Sequence, residues 1–351
     1  MNQILEQLPA LNLETLKIIV SSWGFPAFRA KQIIGWRNKG ILNPDDMRNL
    51  PQDLRTALKE QLCCEPLKQV QKQCSEDGTR KYLFSLQSGK TIETVLIPEP
   101  ERSTVCISSQ VGCVLDCPFC HTGTQNFEAN LTAGEIIAQV LAVKEDLRNS
   151  PLPSGLHNQV THIVYMGMGE PMANEEGLHE SLSMLMAEDS LHISRRRITV
   201  STSGLTPQIE RMGKVHPVNL AISLHSALDK DRDSLVPINR KYPLQTLRTC
   251  LNLYPLPHQR HITLEYLMLD GVNDRQEDLQ ALVEFVNPER ERVNLIRFNP
   301  YPGSPYEGSP IEHMNKFAQD LISKGIRATV RRSRGQDIMA ACGQLKSSAT
   351  A

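Results

Sequence analysis

Six β-rich runs, at residues 103–108, 161–166, 196–201, 218–224, 262–268 and 293–298, alternate with helical stretches along most of the 351-residue chain. Such alternation with near-continuous apolar strands implies a parallel sheet, since parallel neighbours need a crossover and the crossover helices cover the sheet. The sheet is then either open and doubly wound or curled into a (β/α) barrel. One intervening helix opens at Thr132-Ala-Gly-Glu135, a capping box leading into Ile136, Ile137, Val140 and Leu141. No internal repeat or low-complexity tract breaks the pattern.

Polar and glycine motifs fall at or just beyond the ends of these runs: Tyr165-Met-Gly-Met-Gly169-Glu170-Pro171, Ser201-Thr-Ser-Gly204, Ser223-Leu-His225 and Asn299-Pro-Tyr-Pro-Gly303. In parallel α/β folds the C-terminal strand ends converge on one face and build the active site. Each motif alone has a structural explanation. Gly167 and Gly169 can simply turn the chain, Glu170 can form a salt bridge, Ser201 and Ser223 can be turn residues, and His225 can be packed. Their shared location is what points to a ligand.

The first run leads into Cys106-Ile-Ser-Ser-Gln-Val-Gly-Cys113-Val-Leu-Asp-Cys117-Pro-Phe-Cys120, with three cysteines in a Cys-x3-Cys-x2-Cys spacing. A loop of this kind can wrap one soft-metal centre. A closed structural zinc site wants four ligands, which Cys106 or Cys342 would complete; a [4Fe–4S] cluster held by three thiolates keeps one iron open for chemistry.

Nine cysteines, an odd number scattered apart from this loop, do not form a secreted disulfide framework. The amino terminus lacks a signal-peptide pattern and no apolar stretch is long enough to cross a membrane, so a cytoplasmic protein is expected. Lys+Arg 38 nearly balance Asp+Glu 39, so any nucleic-acid surface must be local.

Residues 1–65 read as a small helical accessory domain. Leu11, Leu13, Leu16, Ile19 and Val20 follow helical spacing, as do Phe28, Ile33, Ile34 and Trp36, and Asn43-Pro44-Asp45-Asp46 reads as a helix start. Arg29, Lys31, Arg37, Lys39 and Arg48 suit either phosphate contact or a solvated helix face. Residues 66–100 read as a β-hairpin, Tyr82 to Leu86 and Thr91 to Ile97 around a Ser88-Gly89 turn, closed by Pro98 and Pro100 as a linker. Glu93 in its second strand reads as an exposed strand glutamate. The main domain is expected over 101–346, followed by a tail at 347–351. Near its end, Arg327, Arg331, Arg332 and Arg334 precede Cys342; they suit an RNA backbone and favour thiolate at a nearby cysteine, whereas a free cysteine is most often a small buried hydrophobe.

Taken in order, Phe28-Arg-Ala-Lys-Gln, Ile92-Glu-Thr-Val, Ser108-Ser-Gln-Val-Gly-Cys, Gly167-Met-Gly-Glu-Pro, Ser201-Thr-Ser-Gly, Ser223-Leu-His, Pro237-Ile-Asn, Asn299-Pro and Ala341-Cys-Gly-Gln-Leu cover nearly the whole chain. In these motifs it resembles the RlmN branch of radical S-adenosylmethionine (SAM) RNA methyltransferases, which methylate adenosine C2 in 23S ribosomal RNA and transfer RNA. The resemblance implies a partial (β/α)6 TIM-like barrel, a [4Fe–4S] cluster on Cys113, Cys117 and Cys120, and two SAM molecules per turnover. It implies SAM contacts at Gly169, Glu170, Ser201, Ser223, Leu224, His225 and Asn299. It further implies that Cys342 carries the methyl group, that a 5′-deoxyadenosyl radical removes hydrogen from it, and that the resulting carbon radical adds to adenine. Cys106 would release the adduct through a transient disulfide with Cys342, and Glu93 would accept the C2 proton. An electron donor such as flavodoxin or ferredoxin and a monomeric protein are implied too.

His121 and Met339 depart from the family's wording. The alternatives are a sister branch that methylates adenine C8, sharing these cysteines; another radical SAM enzyme, which would not need Cys342; and, from another class, a non-catalytic zinc-stabilised RNA-binding protein.

Overall fold

The computed structural model describes residues 5–257 and 259–346, so the expected tail at 347–351 lies outside the described residues. Three helices, α1 (Leu13–Ser22), α2 (Arg29–Asn38) and α3 (Gln52–Gln61), form the amino-terminal module. They close on their own small core of Leu16, Val20, Ile33, Leu54 and Leu58. Asn12 caps α1 by accepting from the Thr15 amide, which satisfies one of the free N–H groups of the first turn.

Three details differ from expectation here. Pro44–Asp46 is a single 3-10 turn and α3 begins only at Gln52, because Pro51 sets the extended approach to the helix. Phe28 is exposed and lies under the Arg29 guanidinium, 4.8 Å from the ring centroid. Arg37 is buried, not solvated, and donates to the Leu11 carbonyl and to Ser190 Oγ at 3.0 Å. Asn38 adds a bond to the Ser190 carbonyl and accepts one at its own carbonyl from Lys144. Removing one partner from a buried charged network costs about 3–5 kcal/mol, against at most about 1 for an exposed ion pair, so Arg37 fixes the module rather than binding phosphate.

The rest of the chain builds one ten-stranded sheet. β1 (Leu67–Cys74), β2 (Arg80–Leu86) and β3 (Thr91–Pro98) form an antiparallel meander, and β3 pairs antiparallel with β4 (Ser103–Cys106). A two-stranded ribbon, β5 (Gln110–Val111) and β6 (Ala129–Asn130), flanks the cysteine loop. From β4 the sheet is parallel through β7 (His162–Tyr165), β8 (Ile198–Thr202), β9 (Asn219–Ser223), β10 (Ile262–Met268), β11 (Glu291–Arg297) and β12 (Ala328–Arg331). Crossovers include α4 (Ala133–Asn149), α5 (Glu175–Met186), α6 (Thr206–Val215), α7 (Asp229–Leu235), α8 (Leu244–Leu253), α9 (Gln276–Phe285) and α10 (Ile311–Ser323). α4 starts with the capping box expected at Thr132 and Glu135.

The order β1-β2-β3-β4-β7-β8-β9-β10-β11-β12 leaves two edges. The fold is therefore an open, partial barrel whose hairpin continues the sheet instead of forming a linker. The seventh parallel strand, β12, lies beyond the six expected.

Register decides the chemistry of each face. Val105, Ile163, Val200, Leu220, Leu264 and Leu295 are fully or almost fully buried on the helix-covered side. Because side chains alternate, the opposite face carries Cys106, Val164, Thr199 and Ser201, Ala221 and Ser223, Glu265, Asn294 and Arg331, one strand after the next. Glu93 and Val95 of β3 share that face, since Val95 pairs with Cys106. The concave side of the barrel is thus polar, with an interior open to ligands. Among the described residues no helix is long and apolar enough to cross a membrane.

Candidate active site

The C-terminal strand ends surround a cleft of about 970 Å³, the upper end of the size typical for small-molecule sites. Cys113, Cys117, Cys120, Gly169, Glu170, Ser201, Ser223, His225 and Cys342 all line it. Four predicted residues lie elsewhere, among them Glu93, which lines neither this cleft nor the pocket beside it. Leu224 is fully buried behind the wall, its amide bonded to the Glu265 carbonyl. Cys106 and Asn299 line a smaller adjoining pocket, whose wall also includes Cys342.

The cysteine loop is wrapped tightly: a Cβ on Gly123 would lie 2.7 Å from the Cys117 carbonyl oxygen. Burial pushes all three thiols up, Cys113 to about 12. Only a strongly positive centre would bring such a set to the thiolate form. Three thiols lining one cleft fit a multi-iron cluster, in which each thiolate goes to a different iron.

Gly169 has φ +93°, and a Cβ there would sit 2.4 Å from Cβ of Gln110. Only glycine lets these two backbones meet. Gln110 Oε1 in turn accepts the Glu170 amide at 3.0 Å, tying the cysteine strand to the glycine turn. Burial raises the Glu170 carboxyl, while bonds from the Ser203 amide (2.9 Å) and the Met172 amide (3.0 Å) work against it. His225 adopts φ +57° and its Nδ1 accepts the Leu267 amide at 3.0 Å. Burial lowers its pKa to about 3, so the ring is neutral with its proton on Nε2. It meets Phe119 of the cysteine loop edge-on at 4.7 Å.

Glu93 is buried rather than exposed. Burial raises its carboxyl, opposed by Lys81 Nζ at 3.2 Å and the Lys346 amide at 2.9 Å. Cys106, on the same sheet face, is pushed up to about 12, first by burial and then by Cys342. Arg331 hydrogen-bonds Cys342, and this neighbour more than any other holds the guanidinium above its ordinary range. Asn299 Oδ1 accepts from Gln336 Nε2 at 2.7 Å, while its buried Nδ2 has no partner among the described residues.

After β12 the chain runs back across the barrel opening and carries Cys342 with it. The β1–β2 turn holds the near end, through Ser75 Oγ to Asp337 Oδ1 (2.6 Å) and the Gly335 amide to Asp77 Oδ2 (3.1 Å). The cysteine loop holds the far end. The His121 amide donates to the Gly343 carbonyl (2.8 Å), Thr122 Oγ1 to the Leu345 carbonyl (2.6 Å), and the His121 ring stacks on Tyr301 at 4.6 Å. Lys81, His121, Gln110 and Arg331 are thus site residues beyond the predicted set. For Lys81 a signal existed: alternation along the hairpin puts it on the face of Glu93.

Residues 107–286 match the family model of the radical SAM superfamily, and residues 7–64 match that of the ribosomal RNA large subunit methyltransferase N-terminal domain. The dual-specificity RNA methyltransferase RlmN of Rhodospirillum rubrum is 44% identical over 342 residues, 97% of this chain and 80% of that protein. Its namesake from Geobacter sulfurreducens is 42% identical, covering 96% and 91%. The crystal structure of a radical SAM methyltransferase from Sphaerobacter thermophilus superimposes with a TM-score of 0.91 at 41% identity, covering 97% of this chain and 99% of that one. The cofactors of such an enzyme are SAM and a [4Fe–4S] cluster, which the thiol-lined cleft fits. This chain belongs to the RlmN family of radical SAM RNA methyltransferases.

Proposed function

We propose that the protein methylates C2 of a specific adenosine in 23S ribosomal RNA and in transfer RNA, with Cys342 as the methyl carrier. The observation that carries this reading is the position of Cys342, which lines both the cleft of the three loop cysteines and the pocket of Cys106. A thiol placed there can collect a group on one side and be resolved on the other.

Cys113, Cys117 and Cys120 would hold the cluster, and Gly169, Glu170, Ser201, Ser223, Leu224, His225 and Asn299 would hold SAM. Leu224 would do so from behind the wall, through the path it sets for Ser223 and His225. When bound, this pair supplies hydrogen-atom abstraction, which a non-nucleophilic C2 carbon requires because polar methyl transfer fails there. Cys342 accepts the methyl group at Sγ and presents it to the base. Glu93 takes the C2 proton, its buried carboxylate kept available by Lys81. Cys106 then attacks Cys342 Sγ: the thiol loses its proton, an S–S bond forms, the carbon–sulfur bond to the base breaks with its electron pair left on the methylene carbon, and a proton taken up there completes the methyl group. With a pKa of about 12 the Cys106 thiol stays protonated at neutral pH, which guards against premature oxidation.

The helical module of residues 1–65 helps to position RNA, the hairpin of 66–100 carries Glu93, and 101–346 form the catalytic core. The protein works as a cytoplasmic monomer fed by flavodoxin or ferredoxin. The test is anaerobic turnover of the reconstituted protein with reductant, SAM and protein-free 23S RNA or transfer RNA, followed by mass spectrometry of the nucleosides. 2-Methyladenosine is expected, abolished in Cys342→Ala, with a covalent protein–RNA adduct accumulating in Cys106→Ala. 8-Methyladenosine as sole product would move the chain to the sister branch. Neither product, with an intact cluster, would overturn the reading.

A further inference from the structure

Pro237-Ile-Asn239 follows α7, and Asn239 is buried there without lining the cleft or the pocket beside it. Its Oδ1 accepts from Arg232 Nη1 at 2.7 Å, and Arg232 is fully buried as well. Arg232 Nε donates to the Leu224 carbonyl at 3.0 Å, while Nη2 donates to the carbonyls of Ser203 at 2.7 Å and Ser223 at 3.2 Å. Past a strand's end a carbonyl loses its ladder partner and, when buried, must find another donor. A guanidinium offers such donors in a fixed fork. One side chain thus holds the chain just beyond β8 and at the end of β9, the two strand ends that carry Ser201, Ser223 and His225. Ser203 is held from its other side by Glu170, which accepts its amide at 2.9 Å.

None of the four acceptors of Arg232 is a carboxylate. Asp229 and Asp233 accept from Asn239 Nδ2 at 2.8 and 2.7 Å, so they are joined to the guanidinium only through that amide. Burial lowers the Arg232 pKa to about 10, against the influence of Cys117 first and of Asp229 and Asp233 after it, and the group stays charged at neutral pH. The packing agrees. Leu235 and Val236, at the end of α7 and just beyond it, share one apolar cluster with Cys117 and Phe119 of the cysteine loop. A positive charge therefore lies buried behind that loop. Burying a cation with no carboxylate against it is unfavourable, and a clasp that only had to hold carbonyls needs no such charge. Thiolates formed at the loop when a cluster is bound supply the missing counter-charge.

We propose that Arg232 is a positioning residue for both cofactors: it sets the carbonyls of Ser203, Ser223 and Leu224 so that the side chains of β8 and β9 face SAM, and its charge behind Cys117 raises the reduction potential of the cluster. Reduction adds negative charge to a centre already held by thiolates, and a cation nearby in a poorly polarisable wall favours the more negative state. Arg232 lines neither the cleft nor the adjoining pocket, so it acts through the residues it holds and through its field. Asn239 fixes the fork, and Asp229 fixes Asn239 in turn while also accepting the Leu244 amide at the start of α8 at 3.0 Å. The inference rests on the placement of the cluster on Cys113, Cys117 and Cys120 and of SAM at β8 and β9 proposed above.

The test uses the reconstituted holoenzyme under anaerobic conditions. It measures the reduction potential of the cluster, by redox titration followed by electron paramagnetic resonance, and SAM affinity by equilibrium dialysis. Three variants separate the charge from the fork. Arg232→Gln removes the charge, Arg232→Lys keeps the charge and loses the fork, and Asp233→Asn removes a neighbouring negative charge with the guanidinium left in place. Arg232→Gln is expected to lower the potential and to weaken SAM binding at least about tenfold, the fold-change of one lost charged hydrogen bond. Arg232→Lys should weaken SAM binding by a similar factor while its potential stays close to that of the unaltered protein. Asp233→Asn should raise the potential. A potential unmoved in Arg232→Gln, or lowered equally in the Gln and Lys variants, would overturn the role of the charge; undiminished SAM affinity in both would overturn the role of the fork. Should Arg232→Gln fail to take up the cluster, Asp233→Asn decides: a potential unchanged or lowered there refutes the inference. Unaltered protein that takes up no iron would instead overturn the cluster assignment, and protein that holds iron without binding SAM the SAM assignment.

Discussion

Lys81 Nζ lies 3.2 Å from Oε1 of Glu93 and 3.3 Å from the Met339 carbonyl oxygen, so a single ammonium joins the buried carboxylate to the segment carrying Cys342. Burial is the larger influence on Glu93 and raises its pKa; Lys81 is the main opposing one. Lys81→Met removes that opposition and should raise the carboxyl further. A proton acceptor must be ionised, so the acidic limb of the pH profile of kcat/KM for RNA methylation moves to higher pH, and Lys81→Arg restores most of it. An unmoved limb with turnover merely scaled down would show that Lys81 is only structural.

The Asp77 clamp has its own pH signature. Burial would raise the Asp77 carboxyl, but bonds from Thr79, Gly335 and Ser75 outweigh it and leave the pKa below the ordinary 3.8. A depressed carboxylate stabilises the fold above its unfolded value, and that contribution disappears as pH falls through the lower folded value. The hold on residues 335–337 is therefore intact at neutral pH and released only in strong acid. Asp77→Asn should loosen it at neutral pH by about 1 kcal/mol, the scale for a partly exposed charged hydrogen bond, and the difference from the unaltered protein should vanish in strong acid. Hydrogen exchange of the amides of 335–343 measures this; unchanged protection would exclude the clamp.

Gly169→Ala meets two obstacles, a left-handed backbone and Gln110 at 2.4 Å. The first costs about 1 kcal/mol and the second about 1–3 kcal/mol, since the contact is to Cβ rather than to the end of a flexible side chain. Urea denaturation should register a loss of about 2–4 kcal/mol. SAM retention, followed by equilibrium dialysis, should fall as well.

His121→Ala gives up the stack on Tyr301, about 0.5–1.5 kcal/mol for an aromatic pair, and the ring's 3.3 Å contact with the Gln344 carbonyl, which loosens the segment carrying Cys342. Cys342 should then react faster with iodoacetamide, mapped by peptide mass spectrometry, at undiminished iron content. His121→Phe keeps the stacking and should behave closer to the unaltered protein. A loss of iron in parallel would place His121 in cluster support instead.

The apolar strands and the motifs at their ends were legible because helix-covered strands must be apolar and ligand loops must be polar. Two strands of the main sheet were not. β1 reads Leu-Lys-Gln-Val-Gln-Lys-Gln-Cys and lies mostly exposed on an edge, so it has no apolar alternation to detect. β12 is four residues long, with no fully buried position, and looks like part of a basic run. Glu93 was misread as exposed for a related reason. Its strand alternates correctly, but which face meets solvent depends on the partner strands and on the returning Cys342 segment, both remote in sequence. His121 appeared to be an incidental departure, and only the contacts of its ring with Tyr301 and the Gln344 carbonyl give it a purpose. Cys106 and Cys342 met only through the fold.

The order in which the strands pair is the order in which they occur along the chain, from β1 to β12. Each new strand therefore finds its neighbour already made, and the sheet can grow by short steps with little loop-closure entropy at each. The fastening of the Cys342 segment is different: Ser75 bonds Asp337 across 262 positions and His121 meets Gln344 across 223. Contacts of such separation carry a larger loop-closure cost. The sheet needs none of these contacts, so an undocked Cys342 segment would leave the barrel intact and the cysteine loop open from the front.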